Sequence, residues 1–210
     1  MPPHRPLFDL YLVTDRRLAG ARGLLWVIEE ALEGGARGIQ LREKDMSGRE
    51  LYYLAEKVKA LCARWQARLL VNDRADVALA VDADGVHLSG HSMPARVARE
   101  LIGAKRLIGV SVHSLDEACR AEEAGADFVV FGPVYFTPSK AAYGAPQGLD
   151  ALKKVVEKVS VPVYPIGGIQ AQNIAETKKI GSRGIALISA IMASPTPRSA
   201  TKEILKALGA

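Results

Sequence analysis

Short apolar runs recur along the whole chain and form its clearest pattern. Within most of them hydrophobic residues follow one another almost without interruption, as in strands that are covered on both faces, and such strands are typical of parallel sheets. The pattern predicts eight strands, in DLYLVTD from Asp9, RGIQLR from Arg37, RLLVND from Arg68, DGVHL from Asp84, LIGVSV from Leu107, DFVVFG from Asp127, VPVYPIGG from Val161 and RGIALIS from Arg183.

Helical patterns lie between these runs, so that strand and helix alternate. They predict helices over residues 24–32, 51–65, 95–101, 115–124, 151–159 and 171–179. The segments EGGARGIQL, EAGADFVVF and KIGSRGIAL each lead from the end of a helix into the next strand, as repeated joints of strand–helix units do.

Eight strand–helix units in 210 residues average ~26 residues each, which is near the lower size limit of a (β/α)₈ barrel. We therefore expect an α/β protein that folds as a single (β/α)₈ TIM barrel, with one domain over residues 1–210. The alternative is an open doubly wound sheet. The first strand is not followed by the GxGxxG turn that dinucleotide-binding sheets of that type carry, which favours the barrel.

Composition narrows the class of protein. Hydrophobic residues make up 49% and charged residues 24%, which excludes a disordered or fibrous chain. The two cysteines, Cys62 and Cys119, lie in helical patterns without metal or redox spacing, so we expect reduced thiols and a cytoplasmic protein. No apolar stretch approaches the length of a membrane span. The net charge of +5 is scattered, which favours a phosphorylated small molecule over nucleic acid as the partner.

Polar residues end the predicted strands, at the end of a barrel where active sites are built. These residues are Gln40, Arg42, Lys44, Asn72, Asp73, His87, Ser111 and His113. Arg42 and Lys44 are two residues apart, so in an extended segment their side chains point to the same side and could bind one anion together. The alternative is that they are charged residues of a solvated loop without a ligand. Asp73 suits a hard divalent cation; the alternative is that it caps a helix beginning near Ala75, and both roles are compatible. We expect His87 to be buried and hydrogen-bonded rather than catalytic.

Two further segments suit phosphate groups. Gly167 and Gly168 follow the seventh strand and Ser189 follows the eighth, and in barrels these two loops often hold a phosphate on backbone N–H groups. A plain turn is the alternative for the glycine pair. Thr137, Ser139 and Lys140 offer two hydroxyls and an ammonium group for a diphosphate, unless their loop simply faces solvent.

The ordered segments LYLVTD, QLREKD, LLVNDRADVALAVDADGVHL, IGVSVHS, FGPVYFTPSK, PIGGI and ALISAI resemble those of thiamine phosphate synthases and the related TenI-like thiazole tautomerases. The resemblance covers the chain from about Leu10 to Ile191. It implies a (β/α)₈ barrel that joins an aminopyrimidine diphosphate to a thiazole phosphate, releases pyrophosphate and requires Mg²⁺. In the mechanism it implies, the diphosphate leaves first and the thiazole nitrogen captures the pyrimidine methyl cation.

The resemblance also implies a set of site residues. Gln40, Arg42, Lys44 and Asn72 would bind the pyrimidine and its diphosphate, with Asp73 as a magnesium ligand. The diphosphate and product would be held by Ser111, Thr137, Ser139 and Lys140, and the thiazole phosphate by Gly168, Ile188 and Ser189. Arg42, Lys44, Ser111 and Lys140 would be the catalytic members of the set, acting on charge that develops on the leaving group.

One position departs from the synthase pattern at the metal. Synthases usually continue the fourth strand with HLGQxD, whose Asp is a second magnesium ligand, whereas this chain reads HLSGHSMP and has Ser92 there. A hydroxyl is a poorer ligand for Mg²⁺ than a carboxylate. Gly90 replaces the Gln of the motif, and Ala141 and Ala142 follow TPSK where the family tends to have Lys and Asp.

These departures leave rival functions open. A thiazole tautomerase would need the phosphate site but no metal, with His91 or His113 as the base. FGPVY favours the synthase, because TenI-like chains tend to have His in place of Pro133. The third hypothesis is a non-catalytic regulator that binds thiazole phosphate. The sequence is also compatible with a homo-oligomer.

Overall fold

The computed structural model describes residues 8–137 and 144–209, and in them the eight predicted strands are present. They are β1 (Leu10–Val13), β2 (Gly38–Leu41), β3 (Arg68–Asn72), β4 (Gly85–Leu88), β5 (Leu107–Val112), β6 (Phe128–Phe131), β7 (Val163–Pro165) and β8 (Ile185–Leu187). All pair in parallel, so each apolar run is one strand of a single sheet.

Helices separate the strands, as the alternating pattern predicts. They are α1 (Arg16–Ala19), α2 (Leu24–Glu33), α3 (Gly48–Arg64), α4 (Ala75–Ala80), α5 (Ala95–Ile102), α6 (Leu115–Glu123), α7 (Gly148–Lys158), α8 (Ile174–Lys179), α9 (Ser189–Met192) and α10 (Pro197–Leu208). Short 3₁₀ turns occupy Gly20–Arg22 and Ala171–Asn173, so α8 begins three residues later than predicted.

Local capping explains why α3 begins before its apolar stripe. The Ser47 hydroxyl accepts a hydrogen bond from the Glu50 amide, and the Ser47 amide donates to Oε2 of Glu50 at 2.9 Å. This capping box satisfies amide groups that the first helical turn leaves without partners. Apolar periodicity alone predicts a start at residue 51 because the three preceding residues are not hydrophobic.

The strand order identifies the fold as a (β/α)₈ TIM barrel. The order is β7-β6-β5-β4-β3-β2-β1-β8, which follows the chain without the reversal that a doubly wound sheet requires. At the seam between β7 and β8, the Arg183 amide donates to the Val163 carbonyl at 3.1 Å. The predicted barrel is therefore confirmed and the open sheet is wrong.

The strands face two cores. Their outward side chains pack with the helices, as Leu12, Ile39 and Val86 do in the largest buried cluster. The inward side chains fill the barrel with aromatic rings, among them Tyr11, Phe128 and Tyr164. Ring centroids of Tyr11 and Phe128 lie 5.4 Å apart in an edge-to-face contact, a favourable arrangement for buried aromatics. The barrel centre is therefore packed solid below the end where the predicted site residues lie.

Among the helices of the described residues, none combines the length and apolarity that crossing a membrane demands.

Candidate active site

Inward-facing residues at the carboxyl ends of the strands divide the floor of the barrel mouth into two halves. Register pairs Val13 with Gln40, Asn72 with His87 and Ser111 with Val130, and paired residues of neighbouring parallel strands point to the same face. The polar half lies on β2 to β5 and consists of Gln40, Asn72, His87 and Ser111. The apolar half closes the circle with Val13, Val130, Ile166 and Ile188, which belong to the inner cluster or pack against it. A floor divided in this way suits a flat ligand ring that has polar groups along one edge only.

A chain of amide hydrogen bonds orients the polar half. Nε2 of Gln40 donates to Oδ1 of Asn72 at 3.2 Å, and Nδ2 of Asn72 donates to Oδ2 of Asp73 at 2.6 Å. Gln40 and Asn72 are buried, at 3% and 8% exposure. Because the amide nitrogen of Gln40 is directed at Asn72, its carbonyl oxygen is the atom left to accept a hydrogen bond from a ligand.

Asp73 faces a pair of hydroxyls. Its φ of +60° is rare for a residue other than glycine, and its amide donates to the His87 carbonyl at 2.9 Å. Oδ1 accepts hydrogen bonds from the hydroxyl of Ser89, at 3.2 Å, and from that of Ser92. The helix-capping interpretation of Asp73 is wrong, because α4 has Arg74 at its N-cap and no side-chain cap.

The donor set around Asp73 is compatible with Mg²⁺. It consists of oxygen atoms alone, a carboxylate with two hydroxyls, and Mg²⁺ prefers oxygen ligands and commonly takes one or two carboxylates together with water and substrate phosphates. Residues 8–137 and 144–209 contain no group of three His, Cys, Asp or Glu side chains that could hold a metal. Among these residues, a Mg²⁺ at Asp73 would therefore take part of its ligands from water and substrate phosphates.

Arg42 and Lys44 lie in the loop after β2. Lys44, Asn72 and Asp73 share the lining of a cleft of about 230 Å³. Neither the Arg42 nor the Lys44 side chain makes a hydrogen bond or an ion pair with the described part of the chain. Two cations in one loop, both without a side-chain partner in the described ranges and one of them beside a carboxylate, form a site for a phosphorylated ligand, with or without a metal.

Thr14 and Glu43 fix that loop, and sequence reasoning missed both. The Arg42 amide donates to the Thr14 hydroxyl at 2.9 Å, which itself donates to Oε1 of Glu43 at 2.7 Å. Glu43 is 6% exposed and also accepts from the amide and the guanidinium of Arg16. Thr14 ends an apolar run in the same way as the predicted site residues, and this signal could have identified it.

His87 is buried between two hydroxyls. Nδ1 lies 3.3 Å from the Tyr11 hydroxyl and Nε2 lies 2.9 Å from the Ser111 hydroxyl. Burial lowers the pKa of His87 to about 3; the Asp73 carboxylate opposes this effect and the Arg42 charge adds to it. The imidazole is therefore neutral at physiological pH, and the prediction of a buried, hydrogen-bonded histidine is confirmed.

The other two candidate histidines are exposed. Nδ1 of His113 donates to the Gly132 carbonyl at 2.5 Å, and its amide donates to Glu117 at 2.7 Å. His91 follows β4 in the segment that carries Ser89 and Ser92. Neither side chain belongs to the floor of the barrel mouth, so the geometry gives the tautomerase hypothesis no support.

The loops after β6 and β7 lie against each other. The Tyr135 amide donates to the Gly167 carbonyl at 3.0 Å, and a Cβ added to Gly168 would lie 2.6 Å from the Phe136 carbonyl oxygen. Gly168 has a φ of +66°, so both space and backbone conformation require glycine there. Its carbonyl accepts from Nδ2 of Asn173 at 3.0 Å.

The remaining predicted residues lie at the same end of the barrel. Ile188 belongs to the apolar half of the floor, Ser189 begins α9 directly after it, and half-buried Thr137 follows β6. The structure therefore brings Gly168, Ile188 and Ser189 to the side of the mouth opposite Asp73. Ser139 and Lys140 lie outside the described residues.

Comparison with known proteins gives a consistent picture. Residues 10–191 match the family described as thiamine monophosphate synthase. The chain is 44% identical to the thiamine-phosphate synthase of Roseiflexus sp. (strain RS-1) over 93% of this chain and 83% of that one. It is 41% identical to the thiamine-phosphate synthase of Clostridium novyi (strain NT), over 94% and 97% of the two chains. A solved thiamine phosphate pyrophosphorylase from Pyrococcus furiosus superimposes with a TM-score of 0.87 at 45% identity, covering 96% of this chain and 95% of that one.

Proposed function

The chain belongs to the thiamine monophosphate synthase family, and we propose that it is a transferase that joins an aminopyrimidine diphosphate to a thiazole phosphate and releases pyrophosphate. The observation that carries the proposal is the arrangement of the barrel mouth. A half-polar floor lies beside Asp73 and the loop that carries Arg42 and Lys44, opposite the loops after β7 and β8. Each part suits one portion of the two substrates.

The floor suits the aminopyrimidine ring. The free carbonyl oxygen of Gln40 accepts a hydrogen bond from the exocyclic amino group, while the apolar half contacts the ring face and methyl group. Asn72 is held by Gln40 and Asp73, so it maintains this orientation before the substrate arrives. A preorganised site loses less entropy on binding.

Arg42 and Lys44 bind the diphosphate, and polar contacts come from the Ser111 hydroxyl at the end of β5 and from Thr137 in the loop after β6. We extend this group to Ser139 and Lys140 on the strength of the family resemblance. Positive charge around the leaving group stabilises the negative charge that develops on it as the bond to carbon breaks. Because neither cation has a side-chain partner among residues 8–137 and 144–209, neither has to break an ion pair within that part of the chain to bind the diphosphate.

We assign Mg²⁺ to Asp73, with Ser89 and Ser92 as neutral oxygen neighbours. When bound, the metal neutralises charge on the diphosphate and so assists its departure. The Asp73 carboxylate would hold the metal, and Arg42 and Lys44 would add positive charge next to the diphosphate.

Gly168, Ile188 and Ser189 bind the thiazole phosphate. Ile188 offers apolar contact to the ring, and the backbone on either side supplies the phosphate contacts expected after the last two strands of a barrel. In the reaction, the carbon–oxygen bond of the pyrimidine methylene group breaks and its electron pair leaves with the diphosphate. The lone pair of the thiazole nitrogen then forms the new carbon–nitrogen bond.

The cysteines and the charge distribution support a cytoplasmic enzyme that does not bind nucleic acid. Cys62 and Cys119 are both free thiols, and burial raises the pKa of the Cys62 thiol to about 12. Many of the basic side chains are paired with acidic ones, as Arg99 is with Asp127.

Pyrophosphate release tests the proposal. The purified chain is supplied with both precursors, with and without Mg²⁺, and pyrophosphate and thiamine phosphate are measured. We expect both products in equal amounts, with a faster rate when Mg²⁺ is present. Isomerisation of the thiazole phosphate without pyrophosphate would instead identify a tautomerase, and tight thiazole phosphate binding without turnover would identify a regulator.

A further inference from the structure

A chain of three hydroxyl and imidazole groups runs from the centre of the barrel to its mouth. It begins at Tyr11, passes through His87 and ends at Ser111, with contacts of 3.3 Å and 2.9 Å. Tyr11 is fully buried and its ring packs against Phe128 and Tyr164, so it cannot touch a substrate in the mouth. Its hydroxyl reaches the site only through the imidazole.

The direction of the hydrogen bonds follows from counting donors. Within the described residues the Tyr11 hydroxyl has one hydrogen-bond partner, Nδ1 of His87. Burial raises the pKa of Tyr11 well above its ordinary value, so the hydroxyl keeps its proton. If Nδ1 carried a proton, that of Tyr11 would be buried without an acceptor, which is costly. Nδ1 therefore accepts, and the proton of the neutral imidazole resides on Nε2.

This tautomer decides what Ser111 can do. Nε2–H donates to the Ser111 oxygen, so the Ser111 proton is directed away from the histidine and towards a ligand. In the other tautomer Nε2 would accept the Ser111 proton, and the hydroxyl would offer lone pairs to the mouth. A Ser111 hydroxyl that donates its proton stabilises the negative oxygens of a leaving diphosphate, whereas a hydroxyl that presents its lone pairs repels them.

Gly109 provides the space that this arrangement needs. A Cβ there would lie 2.7 Å from Nδ1 of His87 and 2.4 Å from the ring of Phe128. The His87 ring is also flanked by Tyr11 and Phe128, with ring centroids 5.7 and 6.1 Å away. The imidazole is consequently held in one orientation, so the hydrogen-bond direction at Ser111 is built into the packed barrel.

We infer that Tyr11 is a positioning residue that fixes the tautomer of His87 and thereby holds the Ser111 hydroxyl as a hydrogen-bond donor to the substrate diphosphate. The role of Ser111 in this inference rests on the proposed function, whereas the tautomer does not.

The first experiment reads the tautomer directly. Two-bond ¹H–¹⁵N correlation spectra of the imidazoles are recorded for the full chain, with the His87 signal assigned by its loss in His87→Gln among the four histidines. We expect protonation at Nε2 in the wild type and a shift towards Nδ1 in Tyr11→Phe. Tyr164→Phe is the matched control, because it removes a buried hydroxyl of the same aromatic cluster that donates to the Phe8 carbonyl. Protonation at Nδ1 in the wild type, or an unchanged tautomer in Tyr11→Phe, would overturn the inference.

Kinetics of thiamine phosphate formation give the second readout. We expect Tyr11→Phe to lower kcat about five- to tenfold, the value of one neutral hydrogen bond, with little change in KM. Ser111→Ala should lower it about 100-fold, and the double variant should be no slower than Ser111→Ala. Equal losses in Tyr164→Phe and Tyr11→Phe, or additive losses in the double variant, would contradict the inference. A wild type without synthase activity would refute the proposed function, while the spectra would still decide the tautomer.

Discussion

The Ser92 hydroxyl donates a hydrogen bond to the Asp73 carboxylate, where the family resemblance leads one to expect a second carboxylate. We predict that Ser92→Asp binds Mg²⁺ about tenfold more tightly in the presence of pyrophosphate, because a second carboxylate adds a charged ligand. Without metal the two carboxylates repel each other, so the free energy of unfolding should fall by about 1 kcal/mol or more. Titration calorimetry and denaturant unfolding, with Mg²⁺ and with EDTA, measure the two effects.

Ser92→Asn is the control for this substitution, since it has a similar size and no charge. It should bind Mg²⁺ no better than the wild type. If Ser92→Asp and the wild type responded identically to Mg²⁺, Asp73 would not be at a metal site.

Removal of either cation from the loop after β2 should weaken diphosphate binding. Arg42→Ala and Lys44→Ala each lose a charge-assisted contact, and we expect the Kd for the aminopyrimidine diphosphate to rise about 10–100-fold. Lys206→Ala, at an exposed position of α10, changes the net charge equally and should leave the Kd unchanged. Calorimetry with the substrate or with pyrophosphate measures the change, and unaltered affinity in the two loop variants would remove the diphosphate site from this loop.

Thr14 should also affect diphosphate binding, although it does not contact the substrate. In Thr14→Val the Arg42 amide and Glu43 both lose a partner, so we expect a loss of about 1–3 kcal/mol in the free energy of unfolding and a higher KM for the diphosphate. Thr201→Val is the matched control, because the buried Thr201 hydroxyl donates to the Pro197 carbonyl in α10. It should lower stability but not raise KM. A similar rise in KM in both variants would mean that Thr14 contributes general stability alone.

The barrel was predictable from sequence because its determinants are local. Each strand is a short apolar run, and eight of them separated by helices leave few closed arrangements. Helix α10 escaped prediction since its hydrophobic residues are few, and its N-terminus depends on Pro197 rather than on a capping side chain.

The candidate site was predictable only in part. Residues such as Gln40 and Asn72 end apolar runs and therefore had to lie at the mouth. Their partners come from elsewhere in the chain: Glu43 acts on Arg42 through Thr14, and Tyr11 faces His87 across the barrel. Such contacts depend on strand register and on side-chain alternation, and an apolar run specifies neither to within one residue.

A side chain at Gly168 should weaken thiazole phosphate binding, because it would disturb two loops of the barrel mouth. In Gly168→Ala the new Cβ meets the Phe136 carbonyl and the loops after β6 and β7 must separate, so the KM for thiazole phosphate should rise at least about tenfold. Gly103→Ala is the control, with a φ of +76° and nothing within 4 Å of the added atom. Both variants lose stability through backbone strain. Equal KM values for the two would place the thiazole phosphate elsewhere.

His87 makes the stability of the barrel depend on pH. Its pKa is about 3 in the folded protein because of burial, against an ordinary value of 6.5. Below about pH 6.5 His87 is therefore protonated in the unfolded chain but stays neutral in the folded one. The free energy of unfolding should fall as the pH drops from there towards 3, by at most ~1.4 kcal/mol per pH unit from this residue.

His87→Gln isolates this contribution, because glutamine does not titrate. Denaturant unfolding at several values between pH 7 and pH 5, where carboxylates stay largely ionised, should show the stability difference between the wild type and the variant shrinking by about 2 kcal/mol as the pH falls. Above pH 7 the difference should be constant, since His87 is then neutral in both the folded and the unfolded states. Parallel curves over the whole range would mean that the folded barrel takes up this proton as readily as the unfolded chain does, so that burial does not lower the pKa of His87.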